Sequence, residues 1–399
     1  MSRPILFARQ PIFDQALNTY AYQLLYRDAE GLGPDSGFDG VAATTEVLVS
    51  AFTNILENGQ VKYLPALVNF NADWLYDGQL PSVPVETLIL DVERHEHVTD
   101  LVIEHLAELA GSGYRLSVSA NADARLQELA SIITLDVQTL SPAELREHCQ
   151  RIKSEGNKTI LAEKVEDYDE FELCREAGCD LFLGYFFARP QYIKGNKLAR
   201  NELVMLQLIG EVHHPDASPE SIEELIQKDP QLMAALLRLV NSAVFRGHRT
   251  ISNISEAIVL LGLKELRKWV LLLSLTRNDH APDEVINNLL IKGKMCQSLA
   301  ESEEAIEPST AFMAGVLSGI DALFGIPQKE LLEQLPVQLE IKRAVAGGGN
   351  PLGLMLQEVD AYTRGEWDAI SNKYTQQQLS TSYSDAVCWS NSTLQSLPS

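Results

Sequence analysis

The stretch GCDLFLGYFFARP, residues 178–190, joins the end of an amphipathic segment to an apolar run and a turn. Working outward toward the N-terminus, the same arrangement repeats, with short apolar runs separated by segments of helical periodicity. Nearly continuous apolar runs are typical of strands buried on both faces. Strands are predicted at residues 66–71, 87–92, 115–120, 132–137, 159–165 and 180–187. Six strand-helix units in series favour a (β/α) barrel, a TIM-like α/β fold.

The pattern of apolar residues changes near residue 195, and the second half of the chain carries helical patterns alone. Asp229 with Pro230 predicts one helix start, and Asn253 with Glu256 predicts another that stops at Gly262. We therefore predict an α/β barrel domain over 1–195 and an all-α domain over 196–399. The last twenty residues are rich in serine and threonine, so we expect a loose tail anchored by Trp389.

Charge and composition restrict the classes of partner. The chain of 399 residues carries a formal net charge of −23, whereas a nucleic-acid surface needs a basic patch that releases counterions. The same charge is repelled by anionic membranes, and neither a signal peptide nor a membrane span is predicted. Five cysteines without a C-x-x-C pair are interpreted as reduced thiols. We expect a cytoplasmic protein that binds neither nucleic acid nor membrane.

Several motifs at the predicted strand ends resemble one family. ARQPIFD (8–14) with YQLLYR (22–27), LVNFN (67–71), LAEKVE (161–166) and GCDLFLGYFFARP are similar to motifs of the EAL domain, and in particular of the short EAL type fused to an HDOD domain. The stretch IQKDPQLMAALLRLVNSAVF (226–245) and the segment after it resemble the HDOD signature. The resemblance implies an EAL barrel, which hydrolyses cyclic di-GMP in its active members, followed by a helical HDOD module.

The resemblance also implies where two divalent metals, Mg²⁺ or Mn²⁺, would bind in an active EAL barrel. Such hard cations need carboxylate oxygens. Asn69 and Glu163 match the family pattern, and Asp91 is a shortened form of its glutamate. Five other positions depart from the pattern, and these are Gln23 for glutamate, Ser119 and Ala120 for two aspartates, Thr134 for lysine and Leu183 for glutamine. We therefore expect a degenerate metal site and no hydrolysis.

Nucleotide binding without hydrolysis stays open. Arg27 matches the EAL-motif arginine that contacts a phosphate, and a planar bidentate donor suits that task without metal. A surface ion pair with Asp28 or Glu30 would explain Arg27 equally well. Arg189 and Pro190 would line the same end of the barrel together with Asn69, although a simple strand-end turn would also account for them. Glu163 and Glu166 are interpreted as relics or as members of a strand-end network.

The helical half resembles metal-dependent HD phosphohydrolases, whose His-Asp pair binds metal. The corresponding run here is AGVLSGIDALFG (314–325), with Ser318 and Gly319 at the His-Asp positions. The resemblance therefore implies no catalytic metal site in this half either, and we expect no catalytic residue and no cofactor.

The sequence thus predicts a non-enzymatic bacterial signal-transduction protein, which acts by protein-protein interaction in cyclic di-GMP-linked control of motility or biofilm-type outputs. The alternative is a cyclic di-GMP receptor that binds the nucleotide in the degenerate barrel. An active phosphodiesterase is a third and weaker alternative. The expected partners are one or more signalling proteins, with cyclic di-GMP and a second copy of the chain as further candidates.

Overall fold

The structure is a computed structural model that describes residues 6–27, 54–57, 60–70, 83–92, 98–189, 208–210, 212, 217–241, 251–275, 282–335, 337–371 and 373–396. Two compact units divide the chain. One comprises Met1–Arg189 with Ala361–Thr381, and the other comprises Pro190–Asp360 with Ser382–Ser399. The predicted division at residue 195 does not anticipate the return of 361–381 to the first unit.

The first unit is built on a closed eight-stranded barrel with the strand order β1-β10-β9-β8-β7-β6-β5-β2, which confirms the predicted fold class. A separate hairpin is formed by β3 and β4. The strands are β1 (Leu6–Asp14), β2 (Thr19–Arg27), β3 (Asn54–Glu57), β4 (Gln60–Tyr63), β5 (Ala66–Phe70), β6 (Leu88–Val92), β7 (Arg115–Ser119), β8 (Ile132–Asp136), β9 (Thr159–Glu163) and β10 (Leu181–Leu183).

Strand β1 runs antiparallel to both of its neighbours, β2 and β10, whereas the other adjacent pairs in the barrel are parallel. The N-terminal end of β1 therefore lies beside the C-terminal ends of the parallel strands. We call this end of the barrel the mouth, because catalytic and binding groups of (β/α) barrels collect there.

The barrel interior is filled by side chains that alternate with outward-facing ones along each strand. One buried cluster unites residues from most of the strands, namely Ile12, Ala21, Leu67, Ile89, Ile132, Leu161, Leu181 and Leu183. This apolar layer is the floor on which the mouth is built.

Helices on the barrel exterior begin at the residues that the sequence indicates. They are α1 (Asp100–Gly111), α2 (Ala124–Leu129), α3 (Pro142–Glu155) and α4 (Tyr168–Ala177). The Ser141 side chain accepts from the Glu144 amide while the Glu144 carboxylate accepts from Ser141, so a complete capping box starts α3. Helix α4 ends at Gly178 in the left-handed conformation.

The strand predicted at 180–187 is wrong in length, because β10 ends at Leu183. Gly184 follows, and a Cβ atom on this residue would lie 1.9 Å from the Val165 carbonyl oxygen. The backbone turns here, with the Val165 amide donating to the Leu183 carbonyl at 3.0 Å and the Phe186 amide donating to the Val165 carbonyl at 3.2 Å. Phe186–Ala188 then form a 3₁₀ turn.

The second unit is helical, as predicted. Together with two helices whose residues are divided between the units, its described helices are α5 (Pro219–Gln227), α6 (Pro230–Val240), α7 (Ile254–Leu261), α8 (Leu263–Leu275), α9 (Asp283–Ala300), α10 (Pro308–Leu317), α11 (Ile320–Phe324), α12 (Gln328–Gln334), α13 (Leu339–Val345), α14 (Pro351–Thr363) and α15 (Gln376–Ser396). Asp229 and Asn253 are N-caps, and Gly262 ends α7, which confirms those predictions.

The prediction of a loose C-terminal tail is wrong, because α15 continues to Ser396. Leu379, Tyr383, Ala386 and Val387 are buried at helical spacing, and this apolar stripe outweighs the low helix propensity of the serines and threonines around it. Trp389 anchors the helix as expected, packing edge-on against Phe312 at 5.8 Å.

Two further observations concern the sequence predictions. No helix among the described residues is long and apolar enough to cross a bilayer. The five cysteines are free thiols, and four of them are buried.

Candidate functional site at the barrel mouth

The predicted site residues lie on neighbouring strands at the mouth. The β5–β6 register places Asn69 beside Asp91, the β7–β8 register places Ser119 beside Thr134, and the β10–β9 register places Leu183 beside Glu163. On β2, the neighbour of β5, Gln23 lies opposite Gln10 of β1. The topology therefore collects these positions around one ring.

These side chains face into the barrel. Gln23, Asn69 and Asp91 each stand two residues beyond a member of the buried floor, and so do Thr134 and Glu163. Side chains two apart in a strand share a face. The positions therefore form a layer directly above the floor, and Leu183 belongs to the floor itself.

Asp91 is a carboxyl group of this layer whose pKa is perturbed. Burial raises the pKa of Asp91 to about 6, and the nearby Ser117 hydroxyl lowers it by a smaller amount. Ser117 is fully buried and lies beside Asp91 in the β6–β7 register. Sequence reasoning did not single out Ser117, although its position two residues before Ser119 was the available signal.

Two carboxylates on the β8–β9 side, those of Asp136 and Glu166, lie beside cations. Lys164 Nζ lies 2.7 Å from Asp136 Oδ2, although Lys164 must adopt a φ of 60° to follow Glu163 at the end of β9. Arg189 lies 2.6 Å from Glu166 Oε2. Both pairs are partly exposed. The strand-end network predicted for Glu166 is present, and Lys164 was missed.

The remaining predicted residues divide into two groups. Ala120 follows β7 and is buried, with its amide donating to the Thr134 carbonyl at 2.9 Å. Arg27 ends β2, opposite Leu6, but its side chain and all of Pro190 lie outside the described residues.

The donor set can be compared with what a divalent metal needs. In the part of the chain that the structure describes, no group of three or more His, Cys, Asp or Glu side chains is placed to hold a metal ion. Ala120 and Leu183 are buried and apolar, and Gln23 offers an amide oxygen in place of a carboxylate. The described side chains therefore do not fit a two-metal cage, which requires several carboxylate oxygens.

The helical unit holds a separate ion pair, of which the lysine is buried. Lys292 Nζ of α9 lies 2.5 Å from Asp360 Oδ1 of α14, and burial raises the pKa of Asp321, which lies near both groups. At the predicted His-Asp positions, the Ser318 hydroxyl donates to the Gly315 carbonyl and Gly319 precedes α11.

Comparison with known proteins gives matches to both halves of the chain. The model of the HDOD domain family matches residues 198–333. The chain is 29% identical over 401 residues to the uncharacterized protein YuxH of Bacillus subtilis, covering 96% of this chain and 98% of that protein. It is 29% identical over 370 residues to the cyclic di-GMP phosphodiesterase CdgJ of Vibrio cholerae, covering 91% of this chain and 86% of that protein.

Solved structures resemble the chain more weakly. An EAL domain protein from Listeria monocytogenes is 17% identical and covers 47% of this chain and 88% of its own, with a TM-score of 0.35. The HDOD match, the two relatives and the closed barrel support an EAL plus HDOD architecture for the chain.

Proposed function

We propose that the chain is a non-enzymatic bacterial signalling protein, which acts by protein-protein contact within cyclic di-GMP-linked regulation. The observation that carries the proposal is the composition of the mouth. Gln23, Ser119 and Leu183 stand on three different strands, at positions where the EAL resemblance implies metal-binding or catalytic side chains. Neutral groups there would leave the metals under-coordinated and the attacking water near its ordinary pKa.

The remaining carboxylates support the same proposal. Asp136 and Glu166 already have cationic partners, so binding a metal would require breaking those pairs. Asp91 lies on β6 and Glu163 on β9, with β7 and β8 between them in the barrel. Neither replaces the bridging aspartates that the resemblance implies at the positions of Ser119 and Ala120.

The test is a hydrolysis assay on the purified full chain. With cyclic di-GMP and either Mg²⁺ or Mn²⁺, we expect no linear dinucleotide above the level given by an Arg27→Ala variant. The relative CdgJ is named a phosphodiesterase, so an active EAL enzyme should be run beside the chain as the positive control. Conversion that exceeds the Arg27→Ala level would overturn the proposal.

A single reversion gives a sharper version of this test. Gln23→Glu restores one carboxylate, but Ser119 and Ala120 still provide no carboxylate to bridge two metals. No hydrolysis is therefore expected. Turnover by Gln23→Glu alone would show that the run LSVSAN (116–121) has been misinterpreted.

The second candidate is a cyclic di-GMP receptor. The nucleotide in the name of the relative CdgJ favours it, and the candidate contacts are Arg27, Asn69, Arg189 and Pro190. A ligand that prefers the native state must stabilise it. Absence of both binding heat and thermal shift at high micromolar nucleotide would eliminate this candidate.

An arginine pair provides the matched control for the receptor experiment. Arg189→Ala removes a cation from the mouth, whereas Arg151→Ala removes one from an exposed 3.2 Å pair with Glu155 on α3. A receptor should lose affinity in Arg189→Ala and keep it in Arg151→Ala. Equal affinities would place the nucleotide elsewhere.

Protein-protein contact can be tested at an exposed apolar site on the helical unit. Val259 and Leu260 of α7 are 86% and 46% exposed, and adjacent exposed aliphatic side chains are candidates for a contact surface. A specific partner should bind the full chain and lose affinity for Val259→Ser. Leu101→Ser, at an exposed leucine of α1, is the control that should leave binding intact.

A further inference from the structure

A segment from the far end of the sequence packs on the barrel. Residues 361–369, which we call the strap, comprise the last residues of α14, a turn at Arg364–Glu366 and a 3₁₀ turn at Trp367–Ala369. The strap belongs to the same compact unit as the barrel. Two hydrogen bonds join it to barrel residues more than 170 positions away in sequence.

The first contact lies on β1, near its mouth end. The pairing of β1 with β10 covers Ile12–Asp14, so the Leu6–Pro11 part of β1 continues beyond the end of β10. Six strand residues span roughly 20 Å. The Phe7 amide, within this part, donates to the Tyr362 hydroxyl at 3.4 Å. The strap therefore lies along the side of the mouth where β10 has already ended.

The second contact comes from the turn that follows β10. The Tyr185 hydroxyl donates to the Thr363 carbonyl at 3.1 Å, and the Arg364 guanidinium lies over the Tyr185 ring at 5.7 Å. The strap is thus held at both β1 and the β10 turn, and it bridges the two.

The third contact lies on the rim above Gln23. Ala21 belongs to the barrel floor, so Gln23 and Leu25, two and four residues further along β2, face the interior as well. A Cβ atom on Gly365 would lie 2.7 Å from Leu25 Cδ1. Gly365 therefore lies against the inward-facing side chain that directly overhangs Gln23.

The strap is a defined structure in its own right. Tyr362 is fully buried and packs edge-on against Trp367 at 5.2 Å. Gly365 adopts a φ of 69°, and the Gly365 and Glu366 amides donate to the Tyr362 and Ala361 carbonyls at 3.0 and 2.9 Å. Such a turn presents one fixed surface to Leu25.

We propose that the strap restricts access to the barrel mouth at Gln23, and that it must be displaced before a ligand as large as a cyclic dinucleotide can enter. The second part rests on the receptor function proposed above. The first part concerns the barrel alone and can be tested without a nucleotide.

The primary experiment measures the reactivity of a thiol placed in the mouth. Gln23→Cys is introduced into the full chain with Cys388→Ser, because Cys388 is the exposed native thiol and the other four are buried. N-ethylmaleimide labelling at position 23 is followed by peptide mass spectrometry. Adding Gly365→Val should accelerate labelling about tenfold, because reaction through local opening follows the population of the open form.

Gly347→Val is the matched control. Gly347 also has a positive φ, of 81°, but no heavy atom lies within 4 Å of its Cβ position. It lies in the helical unit, so the variant introduces comparable backbone strain without touching Leu25. Tyr362→Phe is a milder second variant that removes the oxygen accepting from Phe7, and it should accelerate labelling about threefold.

The outcomes are distinct once circular dichroism shows that the variants are folded. Faster labelling in Gly365→Val and Tyr362→Phe, with Gly347→Val unchanged, would support restriction of the mouth by the strap. Equal labelling in all four backgrounds would overturn that proposal. Acceleration by Gly347→Val as well would attribute the effect to general destabilisation, and that result would also overturn the strap.

Calorimetry with cyclic di-GMP tests the second part in chains that keep Gln23. Affinity should rise about tenfold in Gly365→Val and stay constant in Gly347→Val, because the seated strap lowers the binding-competent fraction of the parent chain and Gly365→Val raises it. If no chain binds, the receptor function fails while the labelling result for the strap stands. If all chains bind equally, the receptor function is retained, but the proposal that the nucleotide must displace the strap is wrong.

Discussion

The two sides of the barrel mouth hold their polar groups in different ways. On the β8–β9 side, Asp136 and Glu166 each have a cation beside them. On the β2–β10 side, Gln23 and Leu183 are neutral, and Leu183 is part of the packed floor. A lysine or an arginine thus compensates each of these two carboxylates. The charged side is an ion-pair network, and the neutral side is an extension of the core.

Asp91 resembles neither side. It keeps a carboxyl group, but burial raises its pKa to about 6, with the Ser117 hydroxyl acting in the opposite direction. The comparison therefore predicts three classes of response to substitution, according to whether a position is packed, buried and titratable, or paired at the surface.

The largest effect is expected at the packed position. Leu183→Gln restores the amide of the EAL motif, but it buries a polar group in the apolar floor and should lower the free energy of unfolding by about 3 kcal/mol. Urea titration measures this value. Leu101→Gln, at a side chain that is 64% exposed, is the control and should change little. A small loss in Leu183→Gln would show that the neutral side is open to water.

The next effect is pH-dependent and concerns Asp91. A raised pKa means that the native state holds the proton more tightly than the unfolded state, so stability falls as the pH rises from about 4 to about 6. Asp91→Asn removes this loss. The free energy of unfolding of Asp91→Asn, relative to that of the parent chain, should increase by about 2 to 3 kcal/mol between pH 4 and pH 8. Urea titrations across that range measure the difference, and a constant difference would contradict the raised pKa.

A smaller effect is expected from the backbone at Lys164. Its φ of 60° favours glycine, so Lys164→Gly should be more stable than Lys164→Ala by about 1 kcal/mol. The comparison with alanine removes the ion pair in both variants. At Lys153, inside α3, the same two substitutions should give the opposite order, because glycine weakens a helix. The same order at both sites would argue against strain at Lys164.

The smallest effect is expected at the exposed pair. Arg189→Ala should lower the free energy of unfolding by about 0.5 kcal/mol or less, since exposed ion pairs contribute little. The loss should shrink further at 1 M salt, where the Debye length is about 3 Å. Thermal unfolding at two salt concentrations is sufficient to measure it. A larger loss that resists salt would mean that the Glu166–Arg189 pair is shielded from water.

Much of the barrel could be predicted from its sequence, because strands buried on both faces leave continuous apolar runs and because caps such as Ser141 are local signals. The length of β10 could not, since the turn at Gly184 depends on the Val165 carbonyl of another strand end. The C-terminal helix was missed because composition was weighted above the stripe formed by Leu379, Tyr383 and Val387.

The site was predictable to a similar degree. The mouth positions follow from motifs at strand ends, and the barrel brings Asn69 next to Asp91 and Ser119 next to Thr134. The pairing of Lys164 with Asp136 depends on a positive φ that no residue pattern announces. The strap could not be predicted from local sequence patterns, because Phe7 and Tyr362 are 355 positions apart.

That separation has a consequence for how the protein is made. Chains fold from the N-terminus as they are synthesised, but the barrel unit includes Ala361–Thr381. The strands of the barrel are complete by Leu183, whereas Tyr362 emerges after most of the helical unit. The Leu6–Pro11 part of β1 therefore lacks its contact with Tyr362 until that residue has been synthesised. Translation rate and chaperone contact during the interval should consequently influence the yield of native protein more than they would for a barrel encoded in one piece.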